Sequence, residues 1–580
     1  SGYSTTPRDE RGCLDCWPAG ARPARARRTD VESSHRAAEL AERSGAIGRQ
    51  MAQALALVRR HPGRTSKELA RLGERIRRSG AEAIAVCLLH SFAHPEDERR
   101  VARSLARLRL PISLSSDLLR RHREYERFST TLLNAYIQPV VSQYLERLAG
   151  GASPMELHVL RNEGGSLPYE DALEHPVRTI LSGPTGGALA AKYWAKLCGF
   201  ERALGFDMGG TSADVALPVE SEGVWDQASL GGHALALPSI PLSSVGCGGG
   251  SIAYRDSGGA LRVGPESAGA DPGPAAYGKG TRPTVTDAHL FLGRLPQTGL
   301  LGGGFPLDSG RAARAIERLG RELGLDTRAT ALGVLDVADL AMARPLRAFT
   351  MGRGLDPADF CLVAFGGAGG LHALRLARIL GFGAVLVPPD PGILSAAGML
   401  LARPVFEREL AWVATLDRRR GRELAGLARA FGDETRDLVA RDHGRGRAQV
   451  FASCRYRGNQ AELWVRADGR TRESFESEFE QRFGFLQELP IECLRLRARV
   501  TLERSLENRL RNAAARATGS PPAGLPDRCG PGGLRAMARD ALSSPREGPL
   551  AILDYSGTTI VEEGWKAKLV EGGAILLGRA

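Results

Sequence analysis

The sequence predicts an α/β fold. Three observations carry that reading: apolar runs of strand length, glycine clusters at their exits, and helix-periodic text after the clusters. The clearest case is 362–365 (LVAF), which the GGAGG cluster at 366–370 turns into a helix over 371–379. Residues 384–387 form a second strand, followed by 388–392 and a small-residue helix over 393–401. Small residues permit close strand–helix packing, and a helix N-terminus at such a turn favours an anion.

Along the chain, residues 1–44 are rich in Arg, Ala, Pro and Gly and read as an irregular tail. A charged helix is expected over 68–78 and a buried strand over 83–89 (AIAVCLL). An amphipathic helix follows over 95–109, with Val101, Leu105 and Leu108 on one face. The span 123–148 reads as a long helical region interrupted at Pro139. Residues 156–160 alternate like a strand, 162–166 (NEGGS) turn, and 181–187 (LSGPTGG) form a glycine turn opening a helix at 188–198.

The stretch 203–215 (ALGFDMGGTSADV) carries the chemistry. An apolar run ends in Asp207, turns through Gly209 and Gly210, passes Thr211 and Ser212, and leaves along a second run at 215–219. Paired strands with such a turn suit phosphate, because backbone N–H groups reach the anion with no Cβ in the way. The two hydroxyls add donors, and Asp207 can hold a metal-bound water or accept a proton. The competing reading is an ordinary hairpin turn. The segment lacks the Lys of a Walker loop, and no helix follows it as a dinucleotide fingerprint requires. It fits the hairpin-type phosphate clamp that actin-like ATPases and sugar kinases use.

A third glycine cluster, 245–251 (VGCGGGS), precedes a strand at 252–254 and offers Gly248 and Gly249 as a further backbone approach. Residues 263–280 lack periodicity and read as a functional loop, with Glu266, Asp271 and Tyr277 as candidates for substrate contact. PTVTDA at 283–288 leads into a helix. Its Asp287 is the second candidate carboxylate or, equally, an ordinary N-cap. His372, after the GGAGG turn, reads as packed or capping rather than catalytic. From 405 the texture turns to Arg/Glu-rich helix, then strands around 450–457, 461–465 and 495–502. Residues 508–548 read as a linker, and a final β unit spans 549–577.

At 580 residues the chain should hold several domains. A 43% hydrophobic content and mean hydropathy of -0.20 fit sizeable cores. Net charge is +12, but only six of the 78 basic residues are Lys, and the arginines are scattered through Ala- and Leu-rich text, so no nucleic-acid partner is expected. No run is apolar enough for a membrane span, and the start lacks a signal-peptide pattern. Nine cysteines without a disulfide rhythm favour a reducing, cytoplasmic setting. Cys13 and Cys16 make a lone C-x-x-C that supports a zinc site only weakly.

Six motifs then stand in order: SGPTGG (182–187), FDMGGTSADV (206–215), VGCGGGSIA (245–253), VGPESAGADPGPAAYG (263–278), PTVTDA (283–288) and FGGAGGLHA (365–373). Their series closely resembles the hydantoinase A/5-oxoprolinase family, as do 124–139, 388–400, 456–463 and 548–565. The resemblance implies actin-like ATPase (ribonuclease H-like) lobes with a C-terminal α+β domain. The expected divisions are the tail 1–44, a remnant of the family's N-terminal domain at 45–122, an ATPase/catalytic domain at 123–404, and the α+β domain at 405–580. It implies ATP and Mg²⁺ as cofactors. It also implies phosphorylation of a carbonyl oxygen for ring opening of a hydantoin, 5-oxoproline or related lactam. The ketone-carboxylase branch, a non-enzymatic ATP switch and an inactive family member stay open. A hydantoinase B-type subunit is the expected partner, in an oligomer.

On that resemblance Gly209, Gly210, Thr211 and Ser212 form the phosphate cradle, with Gly248 and Gly249 beside it. Gly366, Gly367 and Gly369 pass close to ribose or adenine, and Asp207 and Asp287 are the catalytic and metal-binding acids. The family's own DxGGT-type turn near its N-terminus, the first phosphate loop, has no counterpart here, so half of the clamp is expected to be missing. Cys247 and Ala276 stand where the family has Ala and Cys.

Overall fold

The computed structural model describes residues 55–58, 66–119, 123–152, 155–217, 228–230, 232–352, 354–459, 461–502, 526–530 and 532–579. The tail 1–44, Cys13, Cys16 and most of the expected linker's first half lie outside the described residues.

The first unit is a parallel sheet of β1 (Leu55–Val58), β2 (Ala83–Val86) and β3 (Ile112–Leu114), with α1 (Ser66–Ser79) and α2 (Pro95–Leu105) as crossovers. Glu98 of α2 is fully buried and accepts from the N–H groups of Leu88 and Ser116 and the hydroxyl of Ser115. These bonds lock the short α3 (Ser115–Leu118) in place. The long α4 (Glu124–Ala152) runs unbroken through Pro139, where an interruption was expected. Asn134 and Gln138 hold the α4 turn preceding Pro139 to the carbonyls of Leu173 and Glu174, which offsets the backbone bond that proline removes.

Next come the hairpin β4 (His158–Leu160) and β5 (Ser166–Pro168), the short α5 (Tyr169–Glu174) and α6 (Ser182–Leu197). The expected glycine turn at 181–187 is the first turns of α6 itself. Its glycines serve packing: a Cβ at Gly187 would lie 2.6 Å from the Phe365 ring, and one at Gly186 would overlap the Ser395 carbonyl.

The centre is an eight-stranded sheet. β6 (Ala203–Met208) pairs antiparallel with β7 (Ala213–Ala216), and after the hairpin β8 (Ala228–Leu230)–β9 (His233–Leu235), β10 (Leu242–Val245) extends β7. A separate hairpin of β11 (Ser251–Arg255) and β12 (Leu261–Ser267) follows, so the first third of the expected 263–280 loop is strand. Three helices then pack together against the β11–β12 hairpin, the third also against β10: α7 (Val285–Phe291), α8 (Ser309–Leu323) and α9 (Thr327–Met351). Each begins at a residue whose side chain accepts from its first turn: Thr284, Asp308 and Asp326. β13 (Cys361–Phe365) lies parallel to β6, α10 (Gly369–Leu380) crosses over, and β14 (Ala384–Val387) lies parallel to β13. The five strands therefore run in the order 3-2-1-4-5 of their appearance, with the first three antiparallel. That is the ribonuclease H-like arrangement of the expected fold class. The main core lies here, with Phe206, Met208, Leu335, Met342, Leu362 and Leu374 all buried.

α11 (Leu394–Met399) packs on α6 so closely that a Cβ at Gly398 would overlap the Gly186 carbonyl. Past residue 404 an Arg/Glu-rich helix was expected first. The chain forms β15 (Val405–Thr415) before α12 (Arg418–His443). β15 carries Glu407, Arg408 and Glu409 in succession, and its two glutamates pair across the sheet with Arg499 and Arg497. β16 (Gly446–Tyr456), β17 (Leu463–Arg466), α13 (Thr471–Phe483) and β18 (Ile491–Leu502) complete this α+β layer, whose sheet order is β15-β18-β16-β17.

The division 405–580 is not one body. β19 (Arg535–Ala538), β21 (Leu550–Leu553) and β22 (Thr558–Val561) form a small sheet against α10. β20 (Arg546–Glu547), β23 (Trp565–Leu569) and β24 (Ile575–Arg579) join the central sheet, β24 pairing with β14. The C-terminal segment returns to the ATPase-like lobe because β14 offers an open edge that an apolar strand covers.

Candidate functional site

The β6–β7 turn rests on a scaffold of backbone. Gly249 N–H donates to Gly209 O at 3.0 Å, and Gly250 N–H to Gly210 O at 2.6 Å. Gly248 lies directly beneath, where a Cβ would come within 2.7 Å of backbone atoms of Gly210, Thr211 and Ser212. The carbonyls of the turn are thus tied down, while the N–H groups of Gly210 and Thr211 donate to nothing among the described residues. Neither Gly209 nor Gly210 has a positive φ, and a Cβ on Gly210 would meet open space. Fold and packing do not demand glycine there, which argues against the ordinary I′/II′ hairpin turn.

Both glycines face a cavity of about 570 Å³. Its other walls are Gly249, Thr286, Tyr277, the 295–305 loop, Gly367 and Ala368 before α10, and the 554–558 turn between β21 and β22. Tyr277 stacks edge-on against Phe305 with ring centroids 4.8 Å apart. Gly366, at φ +79°, brings the strand-to-helix turn against β6, and a Cβ there would overlap the Asp207 carboxylate and the Met208 carbonyl. Gly369 sits inside α10 with ordinary contacts and does not line the cavity. The 554–558 turn is braced from behind: Arg539 grips Asp554 at 2.6 and 2.7 Å and also donates to the carbonyls of Val387, Pro388 and Gly573.

Asp207 is half-buried and accepts weakly from Ser395 Oγ at 3.3 Å. Burial first, and the charge of Asp214 second, push its carboxyl up to about 6. Asp214 stands directly opposite on β7, so the two acids share one face of the hairpin. The readable signal for Asp214 was the hairpin register itself, two strands closed by a four-residue turn.

Asp287 takes up the helix-capping alternative of its two expected readings. It is fully buried and accepts from the N–H groups of Ala275, Ala276 and Thr284 and the hydroxyl of Thr284. Oδ2 takes three of these bonds and Oδ1 one, and together they tie the capping box at Thr284 to the 274–278 turn. Burial raises its carboxyl against those bonds. Glu266 and Asp271 pair with exposed Arg282 and Lys279 and do not line the cavity, whereas Tyr277 does. His372 is core: its Nδ1 lies 2.5 Å from buried Asp339 and its Nε2 3.0 Å from His289.

Among the described residues no group of three or more His, Cys, Asp or Glu could enclose a metal. No described helix is long and apolar enough to cross a membrane. The cysteines at 87, 198, 247, 361, 454, 493 and 529 are free thiols.

Residues 127–408 match the family model described as Hydantoinase/oxoprolinase. An uncharacterised protein of Methanocaldococcus jannaschii is 38% identical over 356 residues, covering 58% of this chain and 52% of that protein. The caprolactamase subunit alpha of Pseudomonas jessenii is 36% identical over 338 residues, covering 56% and 48%. The chain thus spans about half the length of these two relatives. The crystal structure of the ATP-dependent caprolactamase matches with a TM-score of 0.70 at 28% identity, covering 89% of this chain and 79% of that one. Nucleotide-free acetone carboxylase matches with a TM-score of 0.72 at 23% identity and the same coverage, which speaks for the fold alone.

Proposed function

We propose, from the premise that residues 127–408 belong to the hydantoinase/oxoprolinase family, that this chain is part of an ATP-dependent enzyme that opens a cyclic amide. The observation that carries the reading is the β6–β7 turn. Two glycines that neither backbone conformation nor packing requires sit on the wall of a nucleotide-sized cavity beside unpartnered N–H groups. Glycine at such a place is what a phosphate pressed against the backbone needs.

The cavity fits ATP. The N–H groups of Gly210 and Thr211 would hold phosphate oxygens, and Gly367 and the start of α10 would lie along the nucleoside. When bound, ATP supplies a phosphoryl group that makes a carbonyl oxygen a leaving group. Asp207 and Asp214 fit Mg²⁺: two like charges facing each other on one strand pair are relieved by a cation, and Mg²⁺ needs only one or two carboxylates beside phosphates and water. In this reading Ser395 orients Asp207, and Gly248 and Gly366 keep the turn and the carboxylate from shifting. The oriented N–H groups offset charge where it grows, without reorganising at that moment. A separate hydantoinase B-type subunit remains the partner we propose, since the caprolactamase relative is itself named as a subunit.

The test is calorimetric titration of the full chain with a non-hydrolysable ATP analogue and Mg²⁺, then phosphate release with hydantoin, 5-oxoproline, caprolactam and acetone. Saturable binding that Gly210→Val abolishes, and release driven by a lactam or hydantoin, are expected. Binding that survives Gly210→Val removes the turn from the reading. Release driven by acetone alone replaces ring opening with ketone activation.

A further inference from the structure

A second cavity of about 370 Å³ lies away from the first, where α3, the 161–163 turn, the 176–178 turn and the sheet of β15 and β18 meet. Its polar wall mixes five arginines with the carboxylates of Asp117, Glu163, Glu407 and Glu409. Arg161, Arg495 and Arg497 are nearly inaccessible, and each has a carboxylate: Arg161 pairs with Glu407 at 2.8 Å and with Glu163, Arg495 with Glu462 at 3.1 Å, and Arg497 with Glu409 at 2.8 Å. Arg178 lines the same cavity, is partly exposed, and makes no close ion pair among the described residues, Glu163, Glu407 and Glu409 acting on it from farther off. Its Nε is buried without a hydrogen-bond partner. Burial first, and the neighbouring Arg161 second, pull its guanidinium below the ordinary arginine range, a pull that Glu163, Glu407 and Glu409 only partly offset.

The arginine is held in place. Asn162 donates to Val177 O at 2.9 Å and accepts from Leu181 N–H at 2.9 Å, so the turns carrying Arg161 and Arg178 form one rigid piece. The lining also has an apolar part, from Leu118, Leu237 and Pro238. A desolvated cation is costly unless it is closely paired, so an arginine that lines a cavity without a close ion pair marks a place for an anion.

We infer that this cavity binds a small organic carboxylate, its charged end on Arg178 and its carbon chain on Leu118 and Leu237. The apolar wall favours a carboxylate with a hydrocarbon tail over bare phosphate, and the planar guanidinium fork suits a carboxylate. The site is independent of nucleotide, and its failure would leave the reading of the first cavity untouched.

The test is calorimetric titration of the nucleotide-free full chain at constant ionic strength with butyrate, inorganic phosphate and chloride. Saturable butyrate binding, tighter than phosphate and absent for chloride, is expected, and Arg178→Gln should weaken it by about tenfold or more. No saturable butyrate binding, or equal binding by Arg178→Gln, overturns the inference. Phosphate binding tighter than butyrate overturns the ligand class. Should Arg178→Gln fail to fold, phenylglyoxal labelling of Arg178 in the unaltered protein, read by peptide mass spectrometry, decides. Butyrate must slow that labelling, and an unchanged rate overturns the proposal.

Discussion

The two cavities are built from opposite materials. The larger is walled by glycine backbone, with Gly209, Gly210, Gly249 and Gly367 on its surface and Gly248 and Gly366 packed behind them. The smaller is walled by long charged side chains drawn from five separate segments. The first offers N–H dipoles whose position is set by main-chain bonds. The second offers whole charges whose position depends on each arginine's partner. A backbone site should therefore be sensitive to added volume, and a side-chain site to lost charge.

The largest effect should come from the charged cavity. Glu407 accepts from Arg161 and Arg499, both at 2.8 Å, and these arginines, with Arg497, outweigh its burial and hold it well below the usual carboxylate range. Glu407→Gln should cost about 3–5 kcal/mol, because it strands buried cations. Urea unfolding measures this, and a loss under about 1 kcal/mol would mean that the pairs are solvated.

Gly366→Ala should follow at about 2–3 kcal/mol, since it adds a methyl group at positive φ against the Asp207 carboxylate and the Met208 carbonyl. Near-wild-type stability would show that the β6 exit yields easily.

Asp207 gives a pH-dependent case. Its folded carboxyl is pushed up to about 6 from an ordinary 3.8, so between those values the folded chain holds a proton that the unfolded chain has released. Stability therefore falls as pH rises through this window, by on the order of 2 kcal/mol from this group. Asp207→Asn should be more stable than the parent above pH 7 by about that amount, and equal to it below about pH 4. Denaturation at the two pH values checks the sign. A variant less stable at high pH would refute the strained carboxyl.

Smallest in stability is Gly210→Ala, expected to shift unfolding by less than about 1 kcal/mol because its Cβ meets open space. Its nucleotide affinity should nevertheless fall, and that split between stability and binding separates a working glycine from a structural one.

Asp287 and Gly209 show how legibility varied. Both were readable as candidates in short motifs. The turn at Gly209 formed as expected because it depends on its own backbone, which local sequence dictates. Asp287 was drawn into a capping box where four donors converge on it, two of them from a turn eleven and twelve residues earlier. The Arg/Glu text after 404 misled for a related reason. Alternating charges on β15 gain their meaning only beside Arg497 and Arg499, some ninety residues away.

By itself the sequence determined the α/β class, the order of the glycine turns, the β6–β7 hairpin with Asp207 at its exit, and the resemblance to the hydantoinase/oxoprolinase family. Each is written in contiguous residues, where steric freedom and hydrophobic period act over a few positions. Only the tertiary structure decided that the last strands close the central sheet, that the 554–558 turn walls the large cavity, that Asp214 faces Asp207, and that Arg178 stands without a close ion pair beside three paired arginines. Those facts depend on which distant segments share a surface, and burial strengthens charge interactions that the linear chain leaves dissolved in water.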